Sequence, residues 1–232
     1  MLLIKRIGLT DNGTRNHQIF LLNVPADEGN SAHRRHVCSR LIPQSQYSLT
    51  NRLHLEEIFG CDALLHVDLG CGEGSFLCAM AQRLPEKNFL GIERLAGRVR
   101  SAARKAAALN NVRLLHIEIS YAVRYLLPPG SVETFYLLFP DPWPKRRHHR
   151  RRTVTADFVN TLGAALCTGG AIYIATDHLE YFRKIKQIAS SVAGLAIADI
   201  DVEVPSSKFA TVFQQKGAPI YRLVLRKVSP VK

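Results

Sequence analysis

From Leu64 onward, short apolar runs recur along the chain: ALLHVDLG, NFLGIE, VRLLHIE, TFYLLFP and AIYIAT. Between them lie segments long enough for helices, with helical spacing at Ser75 to Leu84, Ala96 to Leu109, Thr153 to Cys167 and Leu179 to Val192. Strands alternating with helices predict an open, doubly wound α/β fold, a mostly parallel sheet covered on both faces. The tail adds two β-like stretches, IADIDVEVP and IYRLVLRKV, expected to pair as a C-terminal antiparallel hairpin. Before about Ser45 the pattern is irregular. There, LLIKRIGL and IFLLNV flank the turn-forming Asp11-Asn12-Gly13, and the basic run His33 to His36 follows. Residues 1–45 are therefore expected to be a basic, partly mobile N-terminal extension, and residues 46–232 the main domain.

The first strand–helix junction, HVDLGCGEGSF, carries Gly70, Gly72 and Gly74. Glycines at such a junction allow a tight turn and close backbone approach to a cofactor. Asp68 precedes the first glycine. The second strand ends in Glu93, which can accept hydrogen bonds from both ribose hydroxyls of an adenosine or merely start the next helix. A dinucleotide site spaces its glycines GxGxxG/A, with pyrophosphate on the helix N-terminus; this loop reads GxGxG behind an acid. S-adenosylmethionine, with an ammonium group and no phosphates, suits an anionic loop better. The third strand ends in Glu118, positioned to reach an adenine edge or to face solvent. Together DLGCGEG, GIE and the acid after LLHI resemble the class I methyltransferases, an open α/β sheet that binds S-adenosylmethionine at its strand ends.

Composition narrows the partners. The chain of 232 residues is 47% hydrophobic, enough for a substantial core, and carries 31 Lys plus Arg against 19 Asp plus Glu. A formal charge of +12 favours a polyanion, nucleic acid ahead of membrane. No apolar run is long enough to span a bilayer, and Lys5 and Arg6 interrupt MLLIKRIGL before a signal-peptide core develops, so a cytoplasmic protein is expected. Five cysteines, scattered and without a CxxC pair, suggest neither a disulfide framework nor a zinc site.

The fourth strand runs into FPDPWPKRRHHRRR, Phe139 to Arg152. Pro140, Pro142 and Pro144 end the strand and hold Asp141 in a stiff loop at the carboxyl edge, where open α/β sheets bind ligands. Trp143 beside a carboxylate reads as a base-binding pair, the alternative being an indole that fills a core gap. This stretch closely resembles the signature of bacterial tRNA (guanine-N7-)-methyltransferases. The resemblance runs from about Tyr47 to Lys227 and includes EIFG, the glycine loop, GIE, Ala175 to Asp177, and Thr211 with Phe213.

That resemblance implies a methyl transfer from S-adenosylmethionine to N7 of a guanine in tRNA, in the variable loop, by a domain at 46–232. Guanine N7 has a free lone pair at neutral pH, so no general base is needed. Asp141, at the boundary of cofactor and substrate, is instead expected to position the base and offset its developing positive charge, with Asp177 as a second acid. The resemblance assigns guanosine contacts to Lys145, Asp177, Thr211 and Phe213. Gln214 stands where the family pattern has Glu, and loses the charge-assisted part of a hydrogen bond to the guanine donors. Glu118-Ile119 replaces an acid followed by Ala.

Lys145, Arg146, Arg147, Arg150, Arg151 and Arg152 are expected to neutralise backbone phosphates. The competing reading makes them the exposed first turn of the following helix, although cations there oppose the helix dipole. His148 and His149 have no metal-ligand spacing and join the same surface. The partner is tRNA, with no membrane and no metal, and the protein a monomer or a homodimer. Two other classes remain to be separated from this one. A catalytically silent RNA-binding scaffold is favoured by Gln214 and Glu118-Ile119 and opposed by Asp68, Glu93 and Asp141. A nicotinamide-dependent oxidoreductase is opposed by the glycine spacing and the basic block.

Overall fold

The apolar runs assemble into one seven-stranded sheet of order β3-β2-β1-β4-β5-β7-β6. The structure, a computed structural model, describes residues 40–43, 51–199 and 217–228. The turn and basic arm read before residue 40, and Thr211, Phe213 and Gln214, lie outside the described residues.

In chain order the elements are α1 (Leu55–Phe59), β1 (Leu65–Leu69), α2 (Ser75–Arg83), β2 (Asn88–Glu93), α3 (Ala96–Lys105), β3 (Val112–His116) and α4 (Ile119–Tyr121). After α4, a π-helical turn Ala122–Leu126 leads into β4 (Val132–Leu138). A 3-10 helix Arg146–Arg151, α5 (Ala156–Ala165), β5 (Leu166–Thr176), α6 (Leu179–Ser191), β6 (Leu195–Ala198) and β7 (Tyr221–Lys227) complete it.

β1 to β5 are mutually parallel. β7 runs antiparallel between β5 and β6, so the expected C-terminal hairpin forms with its second strand on the inside. Its first strand starts at Leu195, two residues before the β-like stretch of the sequence.

Both faces of the sheet are covered, which is why β1 and β2 read as unbroken apolar runs and are buried at every position. On one face α2 and α3 set Phe76, Leu77, Met80, Val99 and Ala102 against the sheet. On the other, the π-turn, α5 and α6 set Val123, Leu126, Phe158, Leu162 and Ile185. Each large apolar side chain taken fully out of water contributes roughly 1.5–3 kcal/mol. One polar group lies deep in this packing. His66 Nδ1 is 3.0 Å from the Tyr136 hydroxyl, and its Nε2 is 2.8 Å from Glu133, which Lys87 holds at 2.9 Å.

The helices depart from their expected bounds in three places. α3 tightens to a 3-10 turn at Ala106–Ala108. The basic run forms its own 3-10 helix and is not the first turn of α5. α5 starts only at Ala156, because the Thr155 side chain accepts from Phe158 N at 3.1 Å and supplies the cap. β5 begins at Leu166, opposite Val132, and its register then skips to Ala171 opposite Thr134.

At the other edge, residues 40–42 extend the sheet beyond β3. Leu41 bridges Leu114 in parallel, Ile42 N donates to Leu114 O at 3.0 Å, and Leu114 N donates to Arg40 O at 2.9 Å. This pairing falls on the extension side of the expected boundary at residue 45.

Candidate functional site

The parallel order puts the carboxyl ends of β1, β2, β4 and β5 along one edge, and the acids singled out from the sequence follow those ends. β1 leads directly into the glycine loop. Gly70 N and Cys71 N both donate to Ile92 O, at 2.8 and 3.1 Å, so the loop is anchored on β2. Gly70 and Gly72 have φ of +80° and +56°, and a Cβ on either would meet nothing within 4 Å. Their backbone therefore borders open space and leaves room for a ligand. Gly74 differs: with φ +74°, its Cβ would come 2.8 Å from Ala102 Cβ, so it is bare because α2 and α3 approach closely there.

Glu93 is buried at the end of β2 and already engaged. Its two oxygens accept from Gly72 N at 3.2 Å and Leu95 N at 2.8 Å, which fixes the glycine loop to the start of α3. A carboxylate offers about four acceptor positions, so capacity for a ribose hydroxyl remains. Asp68 lies behind the same loop. Burial, and then the neighbouring Glu93 charge, push its carboxyl up to about 7. Open glycine backbone with two buried acids behind it fits a ligand that carries positive charge and no phosphate. The same acid pair repels a pyrophosphate.

Glu118 takes a different part. Its side chain caps α4, accepting from Tyr121 N at 2.9 Å and Ser120 Oγ at 3.2 Å, so it is neither free toward solvent nor empty-handed toward an adenine.

At the end of β4, Phe139 N donates to Ala175 O at 2.7 Å, which keeps β4 and β5 together to their last residues. Asp141 and Asp177 follow these adjacent strands, whose register pairs Leu138 with Ala175. Asp141 is exposed and Asp177 half-buried. Phe139 and Trp143, on either side of the Pro-Asp-Pro segment, hold positive φ of 53° and 43°. Such values are costly for residues with a Cβ and persist only where the surroundings impose them. Trp143 fills no core gap. It is half-exposed, with the Arg151 guanidinium 5.0 Å from its ring and the His148 ring 5.8 Å away, edge-on.

The basic run divides. Lys145, Arg146, Arg147 and Arg150 are exposed on and beside the 3-10 helix. Arg152 is not: its side chain is 7% exposed and turned inward. The sequence reading that set it among the phosphate-binding cations is corrected by this burial. The cause lies in α6, which brings Glu180 and Tyr181 beneath the loop. Neither residue carried a motif that would single it out. Lys105, whose Nζ lies 2.7 Å from Ser75 Oγ and 3.6 Å from Glu73, also ties α3 to the glycine loop without a sequence signal.

A groove of about 370 Å³ lies further along the sheet, between α6 and the β6/β7 pair, with Phe182, Lys186, Asp199 and Arg222 in its wall. It is apart from the glycine loop, and the convergence of acids and open backbone at the strand ends is the better guide to chemistry. Among the described residues, no group of three or more His, Cys, Asp or Glu could hold a metal ion, and no helix is long and apolar enough to cross a membrane.

The fold and this edge define a class I methyltransferase. Residues 62–223 match the family described as "Putative methyltransferase". Curated relatives described as tRNA (guanine-N(7)-)-methyltransferase include one from Thermotoga maritima, 36% identical over 185 residues, covering 76% of this chain and 58% of its own length. Another from Shewanella sp. (strain W3-18-1) is 34% identical, covering 71% of each chain. A third from Mycobacterium leprae (strain Br4923) is 31% identical, covering 84% of this chain and 91% of its own. The chain belongs to the tRNA (guanine-N(7)-)-methyltransferase family. Solved structures share the fold at low identity. The aminoglycoside resistance methyltransferase NpmB1 has a TM-score of 0.55 at 16% identity, covering 78% of this chain and 95% of its own. The 16S rRNA methyltransferase KamB has a TM-score of 0.52 at 16% identity, covering 88% and 96%.

Proposed function

We propose that the protein transfers a methyl group from S-adenosylmethionine to N7 of a guanine in the variable loop of tRNA, working in the cytoplasm. One observation carries this reading: a single edge of the sheet gathers an open glycine loop backed by Asp68 and Glu93 and, on neighbouring strands, Asp141 and Asp177 beside an exposed cationic helix.

Bound at the loop, S-adenosylmethionine supplies an activated methyl group. Asp68, whose carboxyl sits at about 7 in the free protein, ionises opposite an ammonium group and offsets its charge. Glu93 holds the loop through Gly72 and Leu95 and offers its remaining lone pairs to ribose hydroxyls. Asp141 fixes the guanine ring in line and stabilises the positive charge that the ring acquires as N7 is alkylated. N7 has no proton to lose, so no side chain acts as a base. Asp177 provides a second acidic contact for the base. Lys145, Arg146, Arg147 and Arg150 neutralise backbone phosphates.

The test is to incubate the protein with methyl-labelled S-adenosylmethionine and unmodified tRNA transcripts, then digest and identify the labelled nucleoside and its place. Label in 7-methylguanosine from the variable loop is expected. No label, despite measurable binding of tRNA and S-adenosylhomocysteine, would replace this reading with a silent RNA-binding scaffold.

A further inference from the structure

We propose that Arg152 is a positioning residue that clamps the Asp141 loop in its working shape and makes no contact with RNA, an inference that rests on the methyltransferase reading above. Its guanidinium is used on three sides. Nε donates to the carbonyl of Pro142, the residue after Asp141, at 2.8 Å. Nη2 lies 3.2 Å from Glu180 Oε1 at the start of α6. The flat face stacks 4.8 Å from the ring centre of Tyr181, a fully buried residue whose hydroxyl in turn accepts from Val154 N at 3.2 Å. Its backbone is tied as well, Arg152 N donating to His149 O at 3.0 Å.

The loop needs such a clamp. Pro140, Pro142 and Pro144 have no N–H to donate, so this part of the chain is held chiefly through its carbonyls. Phe139 and Trp143 keep unfavourable positive φ on either side of Asp141, and a strained segment relaxes unless outside contacts fix it. A buried cation bonded to the Pro142 carbonyl supplies that constraint, and Glu180 compensates its charge. The Glu180 carboxyl is held below its usual range, first by the hydrogen bond from Arg152. Only arginine can serve a carbonyl, a carboxylate and an aromatic face at once; a lysine ammonium at the same place could satisfy one or two.

The chain has a single tryptophan, Trp143, one residue past Pro142, so its fluorescence reports the loop directly. In Arg152→Gln, acrylamide quenching of Trp143 should rise about twofold or more. The kcat for tRNA methylation should fall at least tenfold, with KM for tRNA within about threefold of wild type. Binding of S-adenosylhomocysteine and the salt slope of tRNA binding should stay unchanged. Arg152→Lys should recover part of both the quenching and kcat. A phosphate-binding role would do the reverse: unchanged quenching and kcat, a raised KM, and a log–log salt slope shallower by about 0.7–0.9. That pattern overturns the proposal.

If Arg152→Gln loses S-adenosylhomocysteine binding altogether, Glu180→Gln carries the test, because Glu180 is largely exposed and its amide is safe for folding. A partial rise in quenching with a partial fall in kcat supports the clamp, and no change in quenching overturns it. Absence of methylation by the unmodified protein would refute the functional reading while leaving the fluorescence result to decide the clamp.

Discussion

Gly74→Ala should be far more damaging to folding than Gly70→Ala, although both glycines belong to one loop and both hold positive φ, +74° and +80°. For an L-residue, left-handed backbone costs roughly 1–2 kcal/mol, a penalty common to both variants. At Gly70 nothing more is added, because the new methyl meets open space. At Gly74 it would lie 2.8 Å from Ala102 Cβ and 3.1 Å from Ala102 Cα. Ala102 is fully buried and has no flexible tail to move aside, so α2 and α3 must separate. Overpacking of this kind costs typically about 1–3 kcal/mol. The sum for Gly74→Ala is about 2–5 kcal/mol. At about 2–4 °C per kcal/mol for a domain of this size, Tm should fall by roughly 5–15 °C, and by less than half of that for Gly70→Ala. Thermal unfolding followed by circular dichroism, without ligand, measures both. A titration with S-adenosylhomocysteine should show the opposite order, Gly70→Ala losing affinity because its methyl occupies the ligand side of the loop. Equal Tm shifts, or a larger one for Gly70→Ala, would refute the assignment of Gly74 to helix packing.

Other expectations concern the acids and the basic helix. Asp68, raised from 3.8 to about 7, binds a proton in the folded protein that the unfolded chain has already released, so its contribution to stability falls as pH rises from about 4 to 7. Asp68→Asn should remove that slope and raise Tm at pH 8; an unchanged pH profile of Tm would count against the raised carboxyl. A bound ammonium favours the ionised form of Asp68. S-adenosylhomocysteine, which keeps that group, should therefore bind progressively more weakly as pH drops below about 7, approaching roughly tenfold per unit by isothermal titration, and a flat profile would show that Asp68 does not face it. Asp141→Asn and Asp141→Ala should lower the rate of methyl transfer by about 10² or more with cofactor affinity kept, and near-normal rates in both would sink its role. Neutralising Arg146, Arg147 and Arg150 together should weaken tRNA binding and flatten its salt dependence by about 0.7–0.9 for each phosphate that no longer meets a cation; an unchanged slope would show that these side chains face water only.

The sequence by itself determined what depends on neighbours along the chain. Alternating apolar runs and helical segments specified the parallel sheet, because strand and helix periods are local. The GxGxG junction after β1 and the prolines after β4 marked the two loops of the site, because a tight turn and a stopped strand need those residue types wherever they occur. The acid at each strand end followed from the same reading. What the acids and cations do once there was decided by residues distant in sequence. Asp68 has its raised carboxyl because Glu93, at the end of the adjacent strand, lies beside it and because both are sealed from water. Glu93 is engaged by loop amides that only the β1–β2 pairing brings within reach. Nor could a local pattern insert β7 between β5 and β6, or lay residues 40–42 on the edge of β3. Arg152 shows the division most sharply: in the sequence it is the last of a run of like cations. Packing of α6 gives it Glu180 and Tyr181 and takes it out of solvent, since burial and charge compensation belong to the assembled layers and leave no trace in the run itself.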